Sequence, residues 1–252
     1  MKPYLITKDA NGLLQFTINK IEKRNAICYN VMDGLLEAIE LAGDEDVKAL
    51  AITGAGEQAF CSGGDLSVFH ELRTEEEAYG MLSKMSEILY KLLLLPKPTV
   101  AILNGTAVGG GCELAVACDY RIGSQGVKAG FVQGKLAITT GWGGGTILFE
   151  KLSPSNALKM LTEAQVYTAD ELQRLGFLDE IYTGSKDNAC QAFLEKSLTL
   201  GTSVLSAYKT MLVQKWKVHE IKERIDEEVK NCSILWASDL HHSKVDEFRN
   251  GK

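Results

Sequence analysis

The sequence predicts an α/β protein with an all-helical C-terminal region. Strand-like and helix-like patterns alternate up to about residue 190, and beyond that point only helical periodicity remains. Two strand-like runs, moreover, end in turns dense with glycine. The chain therefore divides into a core over residues 1–190 and a helical region over residues 191–252.

In chain order, Tyr4 to Thr7 and Leu13 to Asn19 read as strands joined at Asn11-Gly12, a strong hairpin signal. From Asn30 to Leu41, Val31, Leu35, Leu36 and Ile39 recur at helical spacing, and Gly43 ends the pattern. Val47 to Thr53 is β-rich and breaks at Gly54-Ala55-Gly56. A long amphipathic helix spans Glu75 to Leu95 and stops at Pro96-Lys97-Pro98. Thr99 to Leu103 is a strand, Gly111 to Ala117 a helix, and Tyr120 to Ile122 and Gly130 to Val132 are short strands. Helices are expected over Trp142 to Leu152, Ser155 to Leu161 and Ala169 to Leu175. Two longer, charge-rich ones follow over Val204 to Glu228 and Asn231 to Asp246.

Composition narrows the function. With 252 residues the chain can bury a full core. A formal charge of −6 argues against nucleic acid or an anionic membrane as partner. The six cysteines show no CxxC pair, and Cys112 and Cys118 read as small core residues. No apolar run, Leu92 to Leu95 included, is long enough to span a bilayer, and the N-terminus enters strand pattern without a signal-like stretch. A reduced, cytoplasmic protein is expected, a cleaved organellar presequence being the alternative.

Residues 104 to 119, Asn-Gly-Thr-Ala-Val-Gly-Gly-Gly-Cys-Glu-Leu-Ala-Val-Ala-Cys-Asp, carry the strongest chemical signal. A strand feeds a glycine turn that opens directly into an apolar helix. Gly109, Gly110 and Gly111 leave the first helical turn bare, so that its N–H groups can approach a ligand oxygen, and the helix N-terminus adds positive potential there. Glu113 follows at once. A carboxyl group beside an anion-stabilising cradle suits proton transfer to or from an enolate. The purely structural alternative is a turn that lets helix and sheet pack closely.

A second turn, Phe60-Cys61-Ser62-Gly63-Gly64-Asp65-Leu66, supplies a second exposed backbone. Two converging N–H donors are what a thioester carbonyl needs to become an enolate oxygen. Other chemistries find less support. Gly54-Ala55-Gly56-Glu57-Gln58-Ala59 fits the dinucleotide pattern G-x-G-x-x-A, but another glycine turn follows where a helix is required. There is no P-loop and no G-x-S-x-G serine. His70 and His219 are isolated and His241-His242 fall in the polar tail, so no metal site is expected.

Together these turns resemble those of the enoyl-CoA hydratase/isomerase (crotonase) superfamily. The likeness covers nearly the whole chain. It takes in Glu22-Lys23-Arg24-Asn25-Ala26, Lys97-Pro98, Trp142-Gly143-Gly144-Gly145-Thr146 and the segment from Ala169 to Phe177. The resemblance implies a spiral of ββα repeats, C-terminal helices that drive trimerisation, and assembly as a homotrimer or homohexamer. It also implies an acyl-CoA substrate, coenzyme A entering as part of that substrate and no separate cofactor. The oxyanion donors would be the amides of Gly64 and Gly110, with Glu113 as the acid/base or water-orienting group. Lys23, Arg24, Ala26, Ser62, Gly63, Asp65, Gly109, Lys135 and Trp142 would contact substrate.

One departure bears on the reaction. Hydratases of this family place a second glutamate in a Gln-Pro-Glu stretch; here the matching residues are Gln133-Gly134-Lys135, and no Asp or Glu lies between Asp119 and Glu150. Losing one general acid/base costs roughly 10² to 10⁴ in rate. Decarboxylation of a malonyl-type thioester, or a double-bond shift through one carboxylate, tolerates that loss better than hydration. The stretch from Phe131 through Gly144 is most similar to the ethylmalonyl-CoA decarboxylase branch. Lys135 would then attract a substrate carboxylate, the alternative being an exposed loop lysine. Hydration remains the commoner family activity, and a non-catalytic acyl-CoA-binding oligomer is the alternative from another class.

Overall fold

A computed structural model describes residues 2–251. Strands β1 (Tyr4–Lys8) and β2 (Leu13–Ile18) form an antiparallel hairpin with Lys8 opposite Leu14. The Asp9 carboxylate organises its turn, accepting the Asn11 and Leu13 amides at 2.8 and 3.0 Å. Helix α1 (Tyr29–Leu41) then leads to β3 (Ala49–Gly54), β4 (Ala59–Cys61), the short α2 (Leu66–Phe69) and α3 (Glu75–Leu94). The strand β4 follows Gly54-Ala55-Gly56 where a dinucleotide site would need a helix.

The next two turns repeat this plan. Strands β5 (Thr99–Leu103) and β6 (Thr106–Val108) precede α4 (Gly110–Ala117), and β7 (Tyr120–Ser124) and β8 (Lys128–Gly130) precede α5 (Gly144–Lys151). Each turn gives its first strand to one sheet and its second to another, which is the ββα spiral implied by the family resemblance. After α6 (Pro154–Glu163) come β9 (Tyr167–Thr168), α7 (Ala169–Leu175) and β10 (Glu180–Tyr182). The larger sheet has the order β1-β2-β3-β5-β7-β10 and is parallel from β2 onward; the smaller has the order β4-β6-β8-β9.

Helix α8 (Lys186–Leu198) explains why β3 and β5 read as unbroken apolar runs. Leu50, Ile52, Ala101 and Leu103 face the main core, while Ala49, Ala51, Val100 and Ile102 pack with Cys190 and Leu194 of α8. A parallel sheet covered on both faces needs apolar residues at every position. Helix α3 is fixed at its start by a capping box between Thr74 and Glu77 and ends at Leu95, before Pro96.

The C-terminal region differs from expectation in its breaks. The helix expected over Val204 to Glu228 is interrupted at His219-Glu220: α9 (Thr202–Val218) gives way to α10 (Ile221–Trp236), then α11 (Asp239–Asn250). Glu220 adopts a left-handed φ of 50°, which no glycine or proline announces. The bend allows Val213 and Trp216 before it, and Ile221, Ile225 and Val229 after it, to enter one core. Helix α5 begins at Gly144 rather than Trp142, because Gly143 has a φ of 89° and turns the chain. The strand expected over Gly130 to Val132 ends at Gly130, where the chain enters a 3-10 turn, Gln133–Leu136. No helix among the described residues is long and apolar enough to cross a membrane.

Candidate active site

The two glycine turns meet. The Gly63 carbonyl accepts Ile27 N–H at 2.8 Å and Asp65 N–H donates to the Ile27 carbonyl at 2.8 Å. Because the peptide is trans, the Gly64 N–H points away from Ile27. At the second turn, the Gly109 carbonyl accepts the amides of Cys112 and Glu113 at 2.9 and 3.2 Å, so the Gly110 N–H projects off the start of α4. Gly109 has φ 57° and ψ −121°, a conformation open essentially to glycine alone. The turns are in near contact: a methyl on Gly63 would lie 3.2 Å from the Gly110 nitrogen. Neither the Gly64 nor the Gly110 N–H has an acceptor among the described residues.

Both amides stand in the wall of a cavity of about 680 Å³. Every residue expected in the site borders it: Lys23, Arg24, Ala26, Ser62, Gly63, Gly64, Asp65, Gly109, Gly110, Glu113, Lys135 and Trp142. Their surroundings differ. Lys23 and Arg24 are exposed on the rim, on a 3-10 turn buttressed by buried Asn25, which donates to the Ala55 and Ala59 carbonyls at 3.0 and 2.7 Å. Ser62 donates to the Lys23 carbonyl at 3.2 Å, tying the rim to the first glycine turn. The Asp65 carboxylate is engaged by Lys20 at 2.7 Å and caps α2 through Ser67. Lys135 is exposed and takes no ion pair among the described residues.

Glu113 is 3 % exposed, and both of its carboxyl oxygens accept hydrogen bonds. Oε1 accepts Gln133 Nε2 at 2.9 Å; Oε2 accepts the amides of Trp142 and Gly144 at 2.8 and 3.0 Å. Burial pushes its pKa up and the nearby negative charge of Glu228 pushes the same way; those hydrogen bonds oppose the rise without cancelling it. The result is a carboxyl group held well above its ordinary range, as proton-transfer groups require near neutral pH. Trp142 packs its ring on the bare α-carbon of Gly110, where an added methyl would lie 2.1 Å from the indole.

Several residues in or behind the cavity wall escaped the sequence reading. Gln133 was visible only as part of the altered Gln-Gly-Lys stretch, and Glu228 looks like any helix surface glutamate. Cys232 and Trp236 of α10, and His241 and Phe248 of α11, complete the cavity from the C-terminal side. His241 is not a solvated tail residue: it is 2 % exposed, donates Nδ1–H to the Leu136 carbonyl at 2.7 Å and packs on Trp236.

The family model for enoyl-CoA hydratase/isomerase matches residues 8–245, which take in both glycine turns and Glu113. The chain belongs to the enoyl-CoA hydratase/isomerase family. It is 34% identical to an ethylmalonyl-CoA decarboxylase of Xenopus laevis over 72% of its own length and 60% of that protein's. It is 36% identical to a short-chain-enoyl-CoA hydratase of Clostridium acetobutylicum over 68% of this chain and 65% of the other. In both pairs the match spans less than two thirds of the relative's length. Among solved structures, an enoyl-CoA hydratase from Bacillus halodurans superposes with a TM-score of 0.88 at 21% identity, covering 97% of this chain and 99% of that one. Relatives named for different reactions, a decarboxylase and a hydratase, thus match the same chain.

Proposed function

We propose that the protein decarboxylates a malonyl-type acyl-CoA thioester through an enolate. The thioester oxygen is bound by the N–H groups of Gly64 and Gly110. The bond between the α-carbon and the substrate carboxylate breaks, CO₂ departs, and its electron pair becomes the enolate. Glu113 then gives its proton to the α-carbon, leaving a saturated acyl-CoA. Lys135 supplies positive potential where an anionic acyl group enters, and Lys23 and Arg24 meet the phosphates of coenzyme A at the rim.

One observation carries this reading: beside the two free amides the cavity presents Glu113 as its one buried, cation-free carboxyl group among the described residues, and Lys135 lines the stretch that the family resemblance matches to a hydratase's second glutamate. The other acidic groups at the cavity are Asp65, already neutralised by Lys20, and Glu22, exposed on the outer turn. A departing carboxylate creates the enolate without a base, so one acid suffices; adding water across a double bond asks for two. Similarity to ethylmalonyl-CoA decarboxylases supports the same choice. Hydration is the second reading, favoured by the similarity to short-chain-enoyl-CoA hydratase.

The test is direct. Purified protein is incubated separately with ethylmalonyl-CoA or methylmalonyl-CoA, with crotonyl-CoA, and with a 3-enoyl-CoA, and the products are separated. CO₂ release with butyryl- or propionyl-CoA as product supports the proposal; hydration of crotonyl-CoA with a larger kcat/KM overturns it. A trimeric assembly belongs to the same proposal, supported by the apolar side chains that α9 leaves exposed, Met211 and Val218 among them.

A further inference from the structure

Helix α5 starts inside the protein, and its first amides serve two carboxylates from different helices. Gly144 N–H donates to Glu113 of α4 at 3.0 Å. The next two amides, Gly145 and Thr146, donate to Glu228 of α10 at 3.1 and 2.7 Å. Two carboxyl groups thus share one helix end. That end carries only about half a positive charge, which cannot neutralise two carboxylates. Glu113 borders the cavity and Glu228 does not.

No cation is paired with either carboxylate among the described residues. On α10, Arg224 is committed to Glu150 at 2.5 Å and Lys222 to Glu87 and Asp226, while the Cys232 thiol donates to the Thr139 carbonyl. On α5, Glu150 is held by Arg224, and Lys151 sits at the far end on the Cys118 carbonyl. Helix α3 brings Met81, Leu82 and Met85 to the core, and its Lys84 pairs outward with Asp33. On α9, Lys209 is paired with Asp119; on α11, His241 is bound to the Leu136 carbonyl. What faces the two glutamates is neutral: Gln133, Thr140, Thr146 and backbone amides.

We propose that Glu228 is a positioning residue whose negative charge, set beside Glu113 on the start of α5, keeps Glu113 in the protonated form that delivers a proton to the enolate carbon. The inference rests on the decarboxylation reading, in which Glu113 must enter the cycle as an acid. Its O–H bond breaks as the new C–H bond forms, Glu113 becomes a carboxylate, and water restores the proton after product leaves. Burial raises Glu228 too, so two neighbouring groups compete for ionisation and one retains a proton.

Carbon-13 NMR of protein labelled at its glutamate carboxyl groups tests this, with Glu228→Gln and Glu113→Gln providing the assignments. In Glu228→Gln the titration midpoint of Glu113 should fall by roughly one pH unit or more. The alkaline limb of the decarboxylation rate profile should move down by the same amount. An unmoved Glu113 midpoint in folded Glu228→Gln overturns the proposal. If that variant does not fold, Glu113→Gln gives the reciprocal reading: the Glu228 midpoint must fall equally, since coupling is mutual, and an unmoved one overturns it. A shifted midpoint in a protein that decarboxylates no malonyl-type thioester supports the control exerted by Glu228 and rejects only the reaction assigned above.

Discussion

Trp142 reaches Glu113 through its backbone and the glycine turn at Gly110 through its ring. Its amide donates to Oε2 of Glu113 at 2.8 Å while the indole covers the α-carbon of Gly110. Glu113 and the Gly110 amide, the proposed acid and oxyanion donor, are thereby spaced by one residue, itself only 4 % exposed. Fixed spacing of this kind lets hydrogen-bond donors act on developing charge without first reorganising.

Gly110→Ala should break that spacing. The new methyl would lie 2.1 Å from the Trp142 ring, so the indole or the turn must shift. Overpacking of this sort costs about 1–3 kcal/mol of stability, and misplacing one oxyanion donor costs roughly 10²–10³ in kcat. Circular dichroism melts and steady-state kinetics on the same preparation separate the two losses.

Glu113→Gln should lower kcat by about 10² to 10⁴ while binding of the acyl-CoA changes little. Its effect on stability should depend on pH with a definite sign. Because the folded protein raises the Glu113 pKa, folding favours the protonated form. That contribution is complete below the ordinary glutamate pKa and is lost as pH rises through the raised one. The Tm of the variant should therefore gain on that of the parent as pH increases from acid to alkaline. A Tm difference independent of pH would contradict the assignment.

Lys135→Glu returns a carboxyl group to the position where hydratases have one. Crotonyl-CoA hydration should rise by at least about 10-fold, a fraction of what a general acid/base contributes, and decarboxylation should fall as an anion now faces the anionic substrate. Product analysis on both substrates with one enzyme preparation checks the pair of changes.

Asp65→Ala removes the cap of α2 and leaves Lys20 without its partner. The cap alone is worth about 0.5–2 kcal/mol. Since Asp65 directly follows Gly64, KM for the acyl-CoA should rise along with the fall in Tm.

Much of the site was legible because it is built from local backbone. Two glycine turns and Glu113 lie within short stretches whose chemistry depends on neighbours in sequence, and the structure brings them to one cavity. The strands leading into the turns were harder: Ala59–Cys61 and Thr106–Val108 are three residues each, too short to show a period of two. Helix α8 read only as the start of a helical tail, since its value lies in covering a sheet formed long before it in the chain. Glu228 meets Gly145 and Thr146 at the start of α5 from 83 and 82 positions further along the sequence, and nothing local marks it. The bend at Glu220, which aims α10 toward the site, has no glycine to signal it.

The walls contributed by α10 and α11 have a corollary. Trp236, His241 and Phe248 face the cavity from the last part of the chain, far in sequence from the glycine turns on its other side. Under the proposed reaction, exchanging the cavity-facing side chains of these two helices would reshape the room for an acyl tail without moving either glycine turn, provided Glu228 of α10 keeps its place on α5.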